Sequence, residues 1–165
     1  MQLSVLTLRE LLQLHSGVSA QLRDRGYCRT GNNPGGDIAE HLFSQTFNWQ
    51  LAANSNAGFD AACPDRGRVQ IKSRRLNRPN ASRQAGDIRD LALHKFDWLA
   101  GVVFDSDWEI VLGVLVPFEL VAANSTYIKH TNSSRFYLRD SLIGMEGVED
   151  VTGKLKASWN TMGAI

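Results

Sequence analysis

The alternation of apolar and polar residues along the chain predicts a domain built from both strands and helices. Over residues 68–74, the apolar residues Val69 and Ile71 alternate with polar ones, which is the pattern of a strand with one buried face. Residues 96–104 and 109–117 are almost continuously apolar, as in strands that are buried on both faces. Shorter runs predict further strands at residues 49–53, 58–63 and 135–138.

Helical periodicity and capping residues predict helices around these strands. Thr7 and Glu10 have the spacing of a capping box, which predicts a helix that Gly17 interrupts before a second short helix over residues 19–25. A third helix is predicted over residues 37–47, because its apolar positions recur on one face. Further helices are predicted at residues 87–94, 117–124 and 150–162.

The order of these elements is typical of an α/β domain. The chain has 165 residues, of which 43% are hydrophobic, so it can form one domain with a substantial core. We predict that residues 31–165 form the main domain and that residues 1–30 form an N-terminal helical segment. This segment packs against the domain, forms a dimer interface or serves as a DNA-contacting arm, and the sequence does not choose among these roles.

Several features of the sequence favour a cytoplasmic protein. The chain has no run of 18 apolar residues, and its first residues lack the basic and apolar regions of a signal peptide, so we expect no membrane partner. Cys28 and Cys63 lack the spacing of a metal site and are expected to be reduced thiols.

Basic charge is concentrated in one segment, although the formal net charge of the chain is only +1. Seven basic residues and no acidic residue lie between Arg66 and Arg83, so the remaining eleven basic residues face seventeen acidic ones. Guanidinium groups match the geometry of phosphate oxygens, which predicts a nucleic-acid-binding surface on this strand and on the loop expected at residues 75–86. The alternative is a charged segment that is simply solvated.

The segment from Asp60 to Lys72 carries the candidate chemistry. Alternation places Gln70 and Lys72 on the same face of their predicted strand. A three-residue loop over residues 65–67, with Gly67 in the left-handed conformation, pairs Asp60 with Lys72 across the hairpin. In this register the carboxylate, the amide and the ammonium group share one face.

Such a face offers the ligands that a hard divalent cation prefers. Mg²⁺ binds oxygen atoms and retains water molecules that substrate phosphates can replace, and Mn²⁺ can substitute for it. We expect Asp60 to anchor the ion and Glu40 to add a second carboxylate from the predicted helix. Gln70 offers its amide oxygen and Ile71 its backbone carbonyl. Lys72 is expected to orient the attacking water and to offset charge in the transition state.

Each of these residues also has a purely structural interpretation. Asp37 and Glu40 have the spacing of a capping box, and that cap competes with a metal ion for the same carboxylate. Asp60 is also typical of a turn, and Lys72 is typical of a strand lysine that pairs with an acid such as Asp60. Only the combination of the residues favours the functional interpretation.

This combination resembles the PD-(D/E)XK nuclease superfamily, in which an acid on one strand precedes an acid-x-Lys element on the next. Asp60 matches the invariant acid, and Glu40 matches an acid that the family carries on an earlier helix. The (D/E)XK element is matched by Gln70, Ile71 and Lys72. Gln70 replaces the second acid, as in Mrr-like restriction nucleases.

The resemblance covers residues 26–140 and is closest to a group of bacterial proteins assigned to this superfamily. It is carried by the runs GDIAEHLF, NSNAGFDAA, VQIKSRRL and SRQAGDIRDL. It implies a restriction-endonuclease-like fold, with a mixed central sheet flanked by helices, and a Mg²⁺-dependent DNA endonuclease. A duplex palindromic substrate implies a homodimer, because one active site cuts one strand.

Two other functions are compatible with the same residues. A neutral amide binds Mg²⁺ more weakly than a carboxylate, so one alternative is a catalytically inactive DNA-binding module on the same fold. The other is an interaction protein with a degenerate site, which binds neither metal nor DNA.

Candidate DNA contacts lie on the basic strand, on the loop that follows it and on a polar segment near residue 133. Gln and Arg are the usual partners of adenine and guanine, and hydroxyl and amide groups contact the sugar–phosphate backbone. On these grounds we predict DNA-binding roles for Arg66, Arg68, Arg74, Arg75, Arg78, Ser82, Arg83, Gln84, Asn132 and Arg135.

Overall fold

The computed structural model describes residues 2–53, 58–78 and 81–162. The α-helices within these ranges are α1 (Leu8–Asp24), α2 (Gly35–Phe47), α3 (Phe118–Ala123) and α4 (Thr152–Thr161). The strands in the first half are β1 (Gln50–Leu51), β2 (Ala61–Cys63), β3 (Gly67–Arg75) and β4 (Gln84–Arg89). The later strands are β5 (Trp98–Phe104), β6 (Ile110–Pro117), β7 (Thr126–Ile128), β8 (Ser133–Tyr137) and β9 (Glu149–Asp150). Short 3₁₀ helices occupy Leu3–Val5, Leu91–Leu93 and Asp140–Gly144.

The strands form two sheets, so the predicted mixed α/β class is confirmed. The larger sheet has the strand order β1-β2-β3-β5-β6-β9, and the smaller one has the order β4-β8-β7. In the larger sheet β3 and β5 run parallel, whereas the other neighbouring strands are antiparallel. The sheet is therefore mixed, as the sequence predicted.

Two apolar clusters cover opposite faces of the large sheet. On one face, Val69 and Ile71 of β3 pack with Leu42 and Phe43 of α2 and with Leu155 of α4. On the other face, alternate residues of β5 and β6 pack with the small sheet and α3. The buried positions of β3 follow the predicted alternation, so Gln70 and Lys72 face the small sheet.

The turn between β2 and β3 has the predicted length but a different register. Gly67 has the expected positive φ of 74°, yet it pairs with Cys63 and belongs to β3, so the loop starts one residue earlier than predicted. Continuing the pairing of Ala61 with Val69 places Asp60 opposite Gln70 rather than opposite Lys72. A shift of two residues preserves the side-chain face, so the predicted grouping survives.

Close packing between the sheets depends on a glycine of β5. Gly101 is the cross-strand neighbour of Lys72, and a Cβ atom at this position would clash with Cδ2 of the buried Leu138. The missing side chain lets Leu138 pack directly on the large sheet. It thereby sets the distance between the face that carries Lys72 and the small sheet.

Two predictions about individual elements were wrong. Gly17 does not interrupt the first helix, because α1 is continuous and its predicted capping box between Thr7 and Glu10 forms at its start. Residues 87–94 do not form a helix, since β4 pairs with β8 and a 3₁₀ turn follows. The predicted division of the chain at residue 30 remains a prediction, although α1 contributes no buried residue.

None of the helices in residues 2–53, 58–78 and 81–162 combines the length and apolarity that a membrane crossing requires.

Candidate active site

Asp60 is held immediately before β2, at the point where this strand meets β3. Its backbone N–H donates to the Val69 carbonyl at 2.8 Å, and its carbonyl accepts from the Ala52 N–H at 2.8 Å. Its carboxylate accepts a hydrogen bond from the Ile71 N–H at 2.7 Å and another from the Gln70 amide. The backbone of two neighbouring strands thus fixes the position of this carboxylate.

Lys72 connects the two sheets beside this carboxylate. Its ammonium group donates to the Asp87 carbonyl of β4 at 3.3 Å. The negative charges of Asp60, Asp87 and Glu40 all act on it. The predicted association of Asp60, Gln70 and Lys72 on one face is therefore present in the structure.

Glu40 is turned toward the same site by an arginine that the sequence analysis did not select. Arg29 precedes α2, forms an ion pair with Glu40 and donates to the Ala52 carbonyl at 2.9 Å. The alternative capping box does not form, because the Asp37 carboxylate accepts from the N–H groups of Arg29 and Thr30 instead. The carboxylate of Glu40 is thereby released from the helix end and lies near Asp60.

Burial and mutual repulsion oppose ionisation of the two carboxyl groups. Burial raises the pKa of Asp60, while the Ile71 N–H and the charge of Lys72 act in the opposite direction. Burial also raises the pKa of Glu40; the Arg29 hydrogen bond counteracts this rise and the negative charge of Asp60 adds to it. Such a pair of partly buried carboxylates is a favourable place for added positive charge.

Burial and nearby negative charge shift the pKa of Lys72 in opposite directions. Burial lowers its pKa, whereas the charges of Asp60, Asp87 and Glu40 raise it. A partly buried ammonium group beside carboxylates can replace its present hydrogen bonds by bonds to a water molecule or a phosphate.

Arg29 and Asp87 are site residues that sequence reasoning missed. Asp87 lies in the run SRQAGDIRDL, but the incorrectly predicted helix moved it away from the strand face of Lys72. Arg29 carries no local signal, because its partner Glu40 is eleven residues away and the loop between them has no periodicity. Only the folded chain brings these charges together.

The oxygen atoms near Asp60 are of the kind that a hard cation such as Mg²⁺ binds. Within the described ranges, no group of three or more His, Cys, Asp or Glu side chains is arranged to hold a metal ion. The Ile71 carbonyl faces the same edge of β3 as the N–H that binds Asp60, because both groups of an extended residue point the same way. Two carboxylates, one amide and one carbonyl are therefore near this edge.

Three of the six arginines in the predicted basic segment are neutralised by acids from distant parts of the chain. Arg66 pairs with Glu149, and Arg68 binds Asp97 through both its backbone N–H and its guanidinium group. Arg83 pairs with Asp140. For these three arginines, clustering in the sequence is thus not clustering of unpaired charge, although exposed pairs of this kind are weak and phosphate can compete for them.

Two arginines at the end of β3 are held by aromatic and carbonyl groups instead. Arg75 lies over the Trp108 ring, with its guanidinium carbon 4.7 Å from the ring centroid. Arg74 donates to the Ser82 carbonyl at 2.8 Å. Arg78 is exposed and ends the described segment 58–78.

The remaining predicted DNA contacts lie on the small sheet. Ser82 accepts a hydrogen bond from the Gln84 N–H at 3.3 Å, and Asn132 adopts a left-handed turn in which its side chain accepts from the Tyr127 hydroxyl. Arg135 lies directly opposite Asp87 in the β4–β8 pair, and its buried Nε has no hydrogen-bond partner within the described residues. Two of these residues lie beside Asp87 of the candidate site: Arg135 opposite it, and Gln84, whose amide donates to the Asp87 carboxylate at 3.5 Å.

Comparison with known proteins adds no family assignment: no protein-family model matches the chain, and a search of curated proteins finds no significant match.

Proposed function

We propose that this protein is a metal-dependent DNA endonuclease of the PD-(D/E)XK type, with a restriction-endonuclease-like fold. The observation that carries the proposal is that Glu40, Asp60, Gln70 and Lys72 lie close together beside β3, an internal strand of the mixed sheet, at the start of β2. These residues come from a helix, a strand start and the next strand, in the order that the resemblance implies.

The donor groups fit Mg²⁺, with Mn²⁺ as a substitute. Asp60 and Glu40 would supply charged ligands, and Gln70 and the Ile71 carbonyl would supply neutral ones, which leaves positions for water and phosphate. When bound, the ion would supply positive charge that stabilises the phosphate in the transition state. The Gln70 amide donates to Asp60 in the structure, so its oxygen becomes a ligand only after the amide turns over.

Lys72 is the residue that acts on the nucleophile. Its ammonium group donates to the Asp87 carbonyl and is influenced by the charge of Asp60, so it would hold a water molecule beside a phosphate bound at this site. The same positive charge offsets the negative charge that develops on the phosphate. Arg135, which lies opposite Asp87 in the β4–β8 pair, would hold a phosphate of the bound DNA strand.

A catalytically inactive DNA-binding module is the second candidate, and two contacts favour it. Arg29 already neutralises Glu40, and Gln70 stabilises Asp60 in place of a second acid. In such a protein the Arg29–Glu40 and Gln70–Asp60 contacts would persist when DNA binds, and DNA binding would need no metal.

Nuclease activity on supercoiled plasmid and genomic DNA tests the proposal. Wild-type protein is assayed with Mg²⁺, with Mn²⁺ and with EDTA, beside Lys72→Ala and the exposed control Lys156→Ala on α4. We expect metal-dependent cleavage that Lys72→Ala lowers by about 100-fold or more, whereas Lys156→Ala retains it. Salt-sensitive DNA binding without cleavage would support the inactive module, and the absence of both activities would contradict both candidates.

A further inference from the structure

The first helix presents an apolar stripe that the described residues of its own chain leave exposed. Helix α1 has 17 residues and none of them is buried. Leu8 and Leu12 are 74% and 58% exposed, and Val18 is 52% exposed. A helix of this length is marginally stable alone in water, and tertiary packing of its apolar face normally stabilises it.

The stripe has the spacing of a helix that packs against another helix. Leu8, Leu11, His15, Val18 and Leu22 follow one another at alternating intervals of three and four residues. This interval keeps one seam of the helix facing a partner along its full length. The capping box at Thr7 fixes the start of the helix independently of that partner.

A groove lies at the C-terminal end of α1. It has a volume of about 410 Å³ and lies where the end of α1 meets α2 and α4. Its apolar lining consists of Leu22, Tyr27, Ile38, Trp159 and Met162. The exposed apolar residues Leu3 and Val5 lie before the start of α1, far along the helix from this groove.

We propose that two copies of this chain associate through α1, with the two helices antiparallel around a two-fold axis near His15. The antiparallel arrangement places the start of each α1 beside the end of the other. Leu3 and Val5 of each copy then lie at the groove beside Leu22 of the other copy. A parallel arrangement would leave both grooves without these side chains.

The charges of α1 fit a second copy better than a nucleic acid. The helix carries Arg9 and Arg23 against Glu10 and Asp24, so its net charge is zero with His15 neutral, and one further cation, Arg25, follows the helix end beside the groove. A neutral helix with exposed leucines offers little attraction to phosphates, and two copies of it do not repel one another. The second copy is therefore the preferred occupant over DNA.

The exposed apolar area is sufficient for a specific but weak dimer. A fully exposed Leu or Val side chain offers on the order of 100 Å² of apolar surface. Leu3, Val5, Leu8, Leu11, Leu12 and Val18 are 37–74% exposed, which corresponds to about 350 Å² per chain. Homodimer interfaces are about 65% apolar, so the two-fold contact would bury about 1,100 Å² in total, near the lower limit for specific interfaces.

Sedimentation velocity of the full chain between about 1 and 200 µM tests the association. We expect a reversible monomer–dimer equilibrium in this range. Leu8→Glu keeps the capping residues and places an acid in the first helical turn, where the helix dipole favours it. Because the substitution occurs twice in the dimer, we expect the dissociation constant to rise by about 100-fold.

The matched control adds the same charge to the opposite side of the helix. Gln13 is exposed and lies half a turn away from the stripe, so Gln13→Glu should leave the dissociation constant unchanged. Circular dichroism of both variants establishes that α1 still forms. A wild-type protein that is monomeric throughout, or a dimer that Leu8→Glu does not weaken, would overturn the proposal.

Disulfide capture tests the antiparallel orientation separately. Cysteines introduced by His15→Cys lie near the axis and should join two copies under mild oxidation. The partner's residue 8 lies about 20 Å from residue 8 in an antiparallel pair, so Leu8→Cys should not join them. Capture through both positions would indicate a parallel pair and would contradict the orientation. These results do not depend on nuclease activity.

Discussion

Glu40 illustrates how a single residue acquires its role from a distant contact. Its spacing from Asp37 is equally compatible with a capping box and with a site on the sheet. In the structure Asp37 binds the backbone before α2, and Arg29 draws the Glu40 carboxylate toward Asp60. Local spacing could not distinguish these outcomes, because Arg29 lies in a loop whose conformation is set by tertiary packing.

Gln70→Glu tests whether an amide in place of an acid at this position abolishes Mg²⁺ binding or only weakens it. The substitution adds a second charged ligand on β3, so we expect Mg²⁺ to bind about tenfold more tightly by isothermal titration calorimetry. Without metal, the new carboxylate repels Asp60 and loses the amide bond, so the unfolding temperature should fall and then recover with Mg²⁺.

The control for this change is Gln50→Glu, which adds the same charge at an exposed position of β1. It should alter neither the Mg²⁺ affinity nor the response of the unfolding temperature to Mg²⁺. Equal effects of the two substitutions would contradict a metal site at Gln70.

At the scale of elements, the sequence predicted strands with a strong local pattern and missed one that depends on a remote partner. The alternation around Val69 and the apolar runs of β5 and β6 are local, and those strands form as predicted. Strand β4 is polar and pairs with β8, about fifty residues later. Its register and face are set by that pairing, which local periodicity does not contain.

Gly101→Ala probes the contact between the two sheets. The added Cβ would strike the buried side chain of Leu138, so we expect a loss of about 1–3 kcal/mol in the free energy of unfolding. Chemical denaturation measures this loss. Because Gly101 is the cross-strand neighbour of Lys72, the substitution should also displace Asp87 from the Lys72 ammonium group and lower any nuclease activity.

A double-mutant cycle with Leu138→Ala separates this clash from other effects of the substitution. Shortening Leu138 removes the obstructing atoms, so Gly101→Ala should cost less in that background than in wild type. Equal costs in the two backgrounds would show that the sheets do not meet through this pair.

At the scale of the whole molecule, the distribution of charge differs from its distribution in the sequence. Arg66, Arg68 and Arg83 come from one basic segment, but each meets an acid from a separate element. Where a DNA-binding surface uses these three arginines, phosphates must compete with their exposed ion pairs. Such competition makes binding strongly dependent on salt.

The predicted boundary at residue 30 can be tested by removing the first helix. Because α1 adds no residue to either apolar cluster, deletion of residues 1–24 should leave the remaining chain folded. We expect its unfolding temperature, measured at low micromolar concentration by scanning calorimetry, to lie within about 2 °C of the full chain. A large loss of stability or of near-ultraviolet dichroism would instead assign α1 to the core.

The sequence by itself determined the mixed α/β class, the apolar face of α2 and the alternation that groups Gln70 with Lys72. These features depend on periodicity and on turn residues such as Gly67, which act over a few neighbouring positions. The tertiary structure decided the partner of Glu40, the approach of Asp87 to Lys72 and the pairing of Arg66, Arg68 and Arg83 with acids. Each of these joins groups that are far apart in the chain, so only the packing of the sheets and helices could bring them together.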